Sequence, residues 1–120
     1  LGSGGGKLLT SISKLNLNGK FHGVEAAILP FLASKIRGFL SQSNCSFSWG
    51  NFWQYNLSSY DVVYAYLSPA PMNKLWKKAI QEMRPGSILI SNTFMIPGVP
   101  PSESIAIDDF NNSVLYIWKI

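Results

Sequence analysis

The stretch Leu1-Gly2-Ser3-Gly4-Gly5-Gly6 decides how the fold of this 120-residue chain is interpreted. Glycines stand at alternate positions, and because glycine has no Cβ, the backbone can turn sharply there and leave room for a ligand. Such a loop also presents backbone N–H groups at the mouth of a following helix. It therefore predicts a nucleotide-type binding loop, which in open α/β sheets follows the first strand. In this sequence only Leu1 precedes the first glycine, so we expect that first strand to be largely missing.

Hydrophobic periodicity divides the rest of the chain into alternating helices and strands. Helices are predicted at residues 7–15, 28–42 and 72–83, and strands at 21–25, 45–49, 61–67, 87–92, 104–108 and 113–119. The third helix is predicted to bury the stripe Leu75, Trp76, Ala79, Ile80 and Met83. The order of elements indicates one α/β domain over residues 1–120, with helices on both faces of the sheet and a C-terminal antiparallel hairpin.

Composition limits the functional classes. The chain has 10 Lys and Arg against 6 Asp and Glu, which gives a mild net charge of +4. The basic residues form no dense run, so nucleic acid is not an expected partner. The single cysteine, Cys45, excludes an internal disulfide and a cysteine-built zinc site. No apolar run approaches the roughly 20 residues of a membrane-spanning helix. A single cysteine also agrees with a reducing compartment, so we expect a cytoplasmic protein, with membrane association only through a segment upstream of Leu1.

Glu25 favours a ligand-binding role for the glycine loop. The loop alone does not decide this, because a glycine-rich terminus also occurs as a flexible tail. A carboxylate at the end of the second strand, about 20 residues beyond the glycines, can accept hydrogen bonds from both hydroxyls of a ribose. A dinucleotide loop would place Gly or Ala at position 7, but position 7 is Lys and the third glycine is Gly6. The spacing Gly2-x-Gly4-x-Gly6 suits S-adenosylmethionine better, since that nucleoside has no pyrophosphate to hold.

These features together resemble the class I S-adenosylmethionine-dependent methyltransferases, whose Rossmann-like sheet can be followed from Leu1 to Ile120. More narrowly, the chain is similar to a bacterial branch related to the mitochondrial protein-lysine methyltransferases of the ATP synthase c subunit and the adenine nucleotide translocase. The segments that carry this narrower likeness are Leu1–Gly4, Asn51–Trp53, Leu67–Pro69 and Leu115–Trp118.

The resemblance implies the positions of the cofactor site. Gly2, Ser3, Gly4 and Gly6 would pass beneath the methionine portion, and Glu25 would hold the ribose. Three further residues would contact the adenine: Ala26, Asn51 and Phe52. Asn51 departs from the family, which usually carries an Asp there, so the adenine contact would lack a charge.

The acceptor side is implied at Ser68 and Pro69, where amino-methylating relatives carry an Asn/Asp-Pro-Pro-aromatic motif. That motif is missing, which disfavours methylation of DNA adenine. A structural interpretation is equally open, in which Ser68 caps the following helix and Pro71 lies in its first turn. We expect no metal site, and His22 is interpreted as a packed residue. No catalytic base can be assigned from the sequence. Methyl transfer is an in-line displacement, so alignment of the acceptor supplies much of the catalysis.

The sequence thus predicts an enzyme that uses S-adenosylmethionine to methylate a protein lysine or another amine. Two alternatives from other classes stay open at this point. One is a nicotinamide-dependent oxidoreductase half-domain, and the other is a non-catalytic nucleoside-binding module.

Overall fold

The computed structural model describes residues 19–25, 45–108 and 111–120, and these fall into two compact units divided between Tyr55 and Asn56. The predicted helices at 7–15 and 28–42 lie outside the described residues, as do Gly2, Ser3, Gly4, Gly6 and Ala26. The single domain over residues 1–120 and the missing first strand stay predictions.

In the first unit, β1 (Phe21–Glu25) and β2 (Cys45–Trp49) form a parallel pair, with the bounds predicted from the sequence. The register aligns Phe21 with Cys45 and Glu25 with Trp49. Val24 and Phe47 are buried, as expected for strands with an apolar face. A short 3₁₀ helix, Phe52–Gln54, follows β2 where the sequence indicated only a loop.

The second unit contains β3 (Val62–Ala65), α1 (Met72–Glu82), β4 (Ile88–Asn92), β5 (Glu103–Ala106) and β6 (Val114–Lys119). Its strands form a sheet in the order β3-β4-β6-β5, in which β3 and β4 are parallel and β6 is antiparallel to both β4 and β5. The predicted antiparallel hairpin is therefore present, and β6 also joins it to the parallel strands.

Helix α1 buries one face among the apolar side chains of its unit. Met72, Leu75 and Ala79 have no exposed surface, which fits their spacing of three and four residues along the helix. Ile80 was wrongly placed on the buried stripe: it is 52% exposed, because it lies about 100° around the helix from Ala79.

The turn between α1 and β4 contains Gly86 at φ +88°. A residue with a Cβ is strained at that angle, which explains why glycine ends the Arg84-Pro85-Gly86 turn. The backbone of this turn is also hydrogen-bonded to Ile120: Gly86 N donates to Ile120 O at 3.0 Å, and Ile120 N donates to Ser87 O at 3.0 Å.

Candidate functional site

Two residues predicted to bind the cofactor lie at the same edge of the parallel pair. Glu25 is the last residue of β1, its register partner Trp49 is the last residue of β2, and Asn51 follows two residues later. The carboxyl ends of parallel strands are where ligands bind in open α/β sheets. The backbone therefore brings the predicted ribose and adenine positions to one edge.

Asn51 has a structural role that the sequence analysis missed. Its side-chain oxygen accepts a hydrogen bond from Trp53 N at 3.1 Å, so Asn51 caps the 3₁₀ helix. Asparagine at the position before a helix is a known capping signal and could have been read from the sequence. An amide oxygen has two lone pairs, and Asn51 is exposed, so capping leaves it able to accept a second hydrogen bond.

Phe52 packs against the next aromatic residue in the chain. The ring centroids of Phe52 and Trp53 are 4.7 Å apart with planes tilted by 45°, and both side chains are half-buried. This arrangement gives the Phe52 ring a packing partner within its own turn. Its predicted adenine contact stays a prediction.

His22 is a half-buried residue with defined partners. Its Nε2 lies 2.8 Å from Ser48 Oγ, and its ring meets Tyr55 edge-on at a centroid distance of 5.6 Å. Burial lowers the pKa of His22, which favours the neutral imidazole. These contacts agree with the interpretation of His22 as a packed residue.

Ser68 and Pro69 lie in the exposed segment between β3 and α1. The interpretation of Ser68 as a helix cap is wrong: the N-cap residue is Pro71, and no side chain caps the helix there. Instead Pro69 O accepts from Met72 N at 3.2 Å, so a backbone turn leads into α1. The structure thus puts both residues in the segment that leaves the carboxyl end of a parallel strand.

Residues 93–101 leave the carboxyl end of β4 and are fixed at several points. Ser91 Oγ donates to Phe94 O at 2.7 Å, and Trp118 Nε1 donates to Val99 O at 3.1 Å. Met95 is 49% exposed, but Ile96 is completely buried. The side chain of Ile96 therefore belongs to the core of its unit and lines no exposed surface.

A polar cluster that sequence reasoning missed lies at the ends of β3 and β4. Asn92 Nδ2 donates to the Tyr64 hydroxyl at 2.8 Å, and Thr93 Oγ1 donates to Asn92 Oδ1 at 2.9 Å. Burial raises the pKa of the Tyr64 phenol, although the hydrogen bond from Asn92 opposes this shift. The signal available in the sequence was Asn92-Thr93 at the end of the apolar run of β4, at the carboxyl end of a buried strand.

The described part of the chain lacks two functional features. Within it, no group of three or more His, Cys, Asp and Glu is arranged to hold a metal ion. Over the same residues, no helix combines the length and apolarity that crossing a membrane requires.

Comparison with known proteins places this geometry in a family. A family model described as the ANTKMT methyltransferase domain matches residues 1–103. A protein-lysine N-methyltransferase of Saccharolobus islandicus is 30% identical over 128 aligned positions, which cover all of this chain and 76% of the relative.

Solved structures agree on the fold. An RNA methyltransferase from Salinibacter ruber, in complex with S-adenosyl-L-homocysteine, has a TM-score of 0.88 at 21% identity, over 99% of this chain and 76% of its own. A putative O-methyltransferase from Klebsiella pneumoniae has a TM-score of 0.74 at 14% identity, over 98% of this chain and 70% of its own. The predicted Rossmann-like methyltransferase fold is confirmed. The chain belongs to the ANTKMT methyltransferase domain family and is a class I methyltransferase that depends on S-adenosylmethionine.

Proposed function

We propose that this protein transfers a methyl group to the side-chain nitrogen of a protein lysine. The observation that carries the proposal is the 30% identity to the Saccharolobus islandicus protein-lysine N-methyltransferase across the whole chain. The RNA methyltransferase from Salinibacter ruber is less similar in sequence, at 21%, and supports the fold alone. The oxidoreductase and the non-catalytic module are not favoured, because the family is one of methyltransferases.

Two residues that the structure describes support the cofactor side of the proposal. Asn51 presents an exposed amide beside the carboxyl ends of β1 and β2, and Glu25 ends the neighbouring strand. In the proposed site Glu25 holds the ribose, while Asn51, Phe52 and Ala26 surround the adenine. When bound, S-adenosylmethionine would supply a methyl group on a sulfonium, whose sulfur departs as a neutral thioether and needs no further activation.

The glycine segment completes the cofactor side of the proposal. Gly2, Ser3, Gly4 and Gly6 are assigned to the methionine portion on the spacing of the glycines and on the family match, which begins at residue 1. Their role depends on the absence of a Cβ where the ligand approaches the backbone.

The acceptor side is proposed at the carboxyl ends of β3 and β4. Ser68 and Pro69 are exposed after β3, and the apolar side chains of Tyr66 and Met95 are about half exposed on the segments after β3 and β4. Apolar surface of this kind can cover the four-carbon stem of a lysine. Partial desolvation of the ammonium lowers the pKa of the lysine and so raises the fraction of reactive neutral amine.

The experiment that tests the proposal follows a labelled methyl group. The full-length protein is incubated with methyl-tritiated S-adenosylmethionine and a cell extract, and parallel samples are treated with protease or with ribonuclease. We expect protease-sensitive label, with mass spectrometry locating methyl groups on lysine. Label on RNA, or on a small molecule only, would refute the lysine assignment.

Two variants control this experiment. Gly4→Val should abolish both cofactor binding and labelling, because the added side chain occupies the ligand's space. Pro69→Ala should slow labelling but leave the affinity for S-adenosylhomocysteine nearly unchanged. If Pro69→Ala weakens cofactor binding as much as turnover, Pro69 belongs to the cofactor side.

A further inference from the structure

The side chain of Asn92 is held at both of its polar ends. Its Nδ2 donates to the Tyr64 hydroxyl at 2.8 Å, and its Oδ1 accepts from Thr93 Oγ1 at 2.9 Å. Each bond fixes one end of the planar amide, so the direction of the carbonyl oxygen is set by the protein. The oxygen has a second lone pair, and the nitrogen has a second hydrogen.

This amide lies at the carboxyl end of the parallel strands. Tyr64 is paired in register with Ile90, and Asn92 lies two residues further along β4, on the same face of the sheet. The Tyr64 hydroxyl reaches Asn92, so the phenol inclines towards the edge at which β3 and β4 end. That edge is also where the segments with Ser68, Pro69 and Met95 begin.

Thr93 adopts a backbone conformation that is uncommon for its residue type. Its φ is +74°, in the left-handed region, and a β-branched residue is a clear outlier there. Such a conformation is unfavourable and persists where surrounding contacts impose it. Thr93 N donates to Val114 O at 2.8 Å, which ties the turn to the start of β6. In this turn the Thr93 hydroxyl lies within hydrogen-bond distance of the Asn92 amide oxygen.

We propose that Asn92 Oδ1 accepts a hydrogen bond from the acceptor amine and so fixes the orientation of its nitrogen. In this arrangement Asn92 contacts the substrate, while Tyr64 and Thr93 are positioning residues that act through Asn92. The inference rests on the proposed function, since it requires an amine acceptor. A neutral amide suits this task, because a carboxylate in its place would stabilise the unreactive ammonium form.

The test uses the full-length protein and a synthetic peptide that spans the lysine labelled in the experiment above. Asn92→Ala should lower kcat by about 10- to 100-fold through loss of alignment, with calorimetric affinity for S-adenosylhomocysteine unchanged within about twofold. Tyr64→Phe should lower kcat less, because Thr93 still holds the amide oxygen.

Asn92→Asp separates orientation from a purely structural role. The added carboxylate raises the pKa of the bound lysine, so the rising limb of the profile of kcat against pH should move up by about 1 pH unit. The shape of aspartate is nearly that of asparagine, which keeps the variant informative if Asn92→Ala does not fold.

The matched controls are Asn56→Ala and Asn56→Asp. Asn56 is exposed and its Oδ1 accepts from Ser58 N at 2.7 Å, so these variants make the same chemical changes outside the cluster. If the Asn92 variants match the Asn56 controls in kcat and in pH profile on a lysine that the wild type methylates, the inference alone is overturned. If the wild type methylates no lysine, the proposed function fails and this inference fails with it.

Discussion

Replacement of Asn51 by Asp should tighten cofactor binding without changing stability. Asn51 Oδ1 already accepts from Trp53 N at 3.1 Å, and Asp caps a helix about as well as Asn, so the 3₁₀ helix should be retained. The second lone pair is then offered to the adenine amino group by a charged oxygen. A hydrogen bond to a charged group contributes about 1.5–3 kcal/mol, against about 0.5–1.5 kcal/mol for a neutral pair. A difference of about 1 kcal/mol corresponds to roughly fivefold in affinity.

The assay is calorimetric titration of the full-length protein with S-adenosylhomocysteine, accompanied by thermal melts. Asn51→Ala should weaken binding and also lower Tm, because it removes the cap together with the adenine contact. Asn56→Asp makes the same charge change at another exposed side chain that accepts from the backbone N–H two residues later, so it measures the effect of an added carboxylate elsewhere on the surface. If Asn51→Asp binds no more tightly than Asn56→Asp, Asn51 only caps the helix and the assigned adenine contact is wrong.

Three further predictions concern one residue each. Glu25→Ala should weaken S-adenosylhomocysteine binding by about 1.5–3 kcal/mol with Tm unchanged, and equal titration curves for variant and wild type would remove Glu25 from the site. Trp118→Phe loses the hydrogen bond to Val99 O and should lower the free energy of unfolding by roughly 1–3 kcal/mol in urea titrations. An unchanged urea midpoint would show that this hydrogen bond does not anchor residues 93–101. The pKa of Glu82 is lowered, mainly by the hydrogen bond from Lys78, so its stabilisation is present above its ordinary value of 4.5 and is lost as the pH falls through the folded value. Unfolding of Glu82→Gln should therefore depend less on pH below about pH 5, and parallel curves for variant and wild type would argue against the shift.

The strands could be predicted closely because their residues alternate or run apolar between clear turn signals. β1 and β2 have the predicted bounds, whereas the predicted strand 61–67 is shortened to Val62–Ala65. Pairing sets this limit, since the register of β3 with β4 covers only those four residues. Periodicity finds apolar runs but does not show where the neighbouring strand stops.

The side-chain roles were harder to predict because each depends on a partner from elsewhere. Asn51 and Ser68 are both residue types that cap helices, yet of the two only Asn51 does so. Ser68 caps no helix, because the chain enters α1 through the backbone turn at Pro69. The bond between Asn92 and Tyr64 joins residues 28 positions apart, and it exists only because β3 and β4 are neighbours in parallel register. The shared edge of Glu25 and Asn51 was easier to predict, because the carboxyl ends of neighbouring parallel strands lie at one edge of a sheet. Their contacts with the cofactor stay predictions.

The position of β6 between β4 and β5 has a consequence for folding during synthesis. β5 is made before β6, but among the described strands β6 is the neighbour through which it joins the sheet. The backbone N–H and C=O groups of β5 that bond to β6 therefore stay unpaired until the ribosome has synthesised Lys119. A nascent chain that stalls between the two strands exposes this unpaired edge. Such edges are templates for association with other chains. We expect ribosome-bound chains of this protein to depend most on chaperones in the interval between the synthesis of β5 and the emergence of β6.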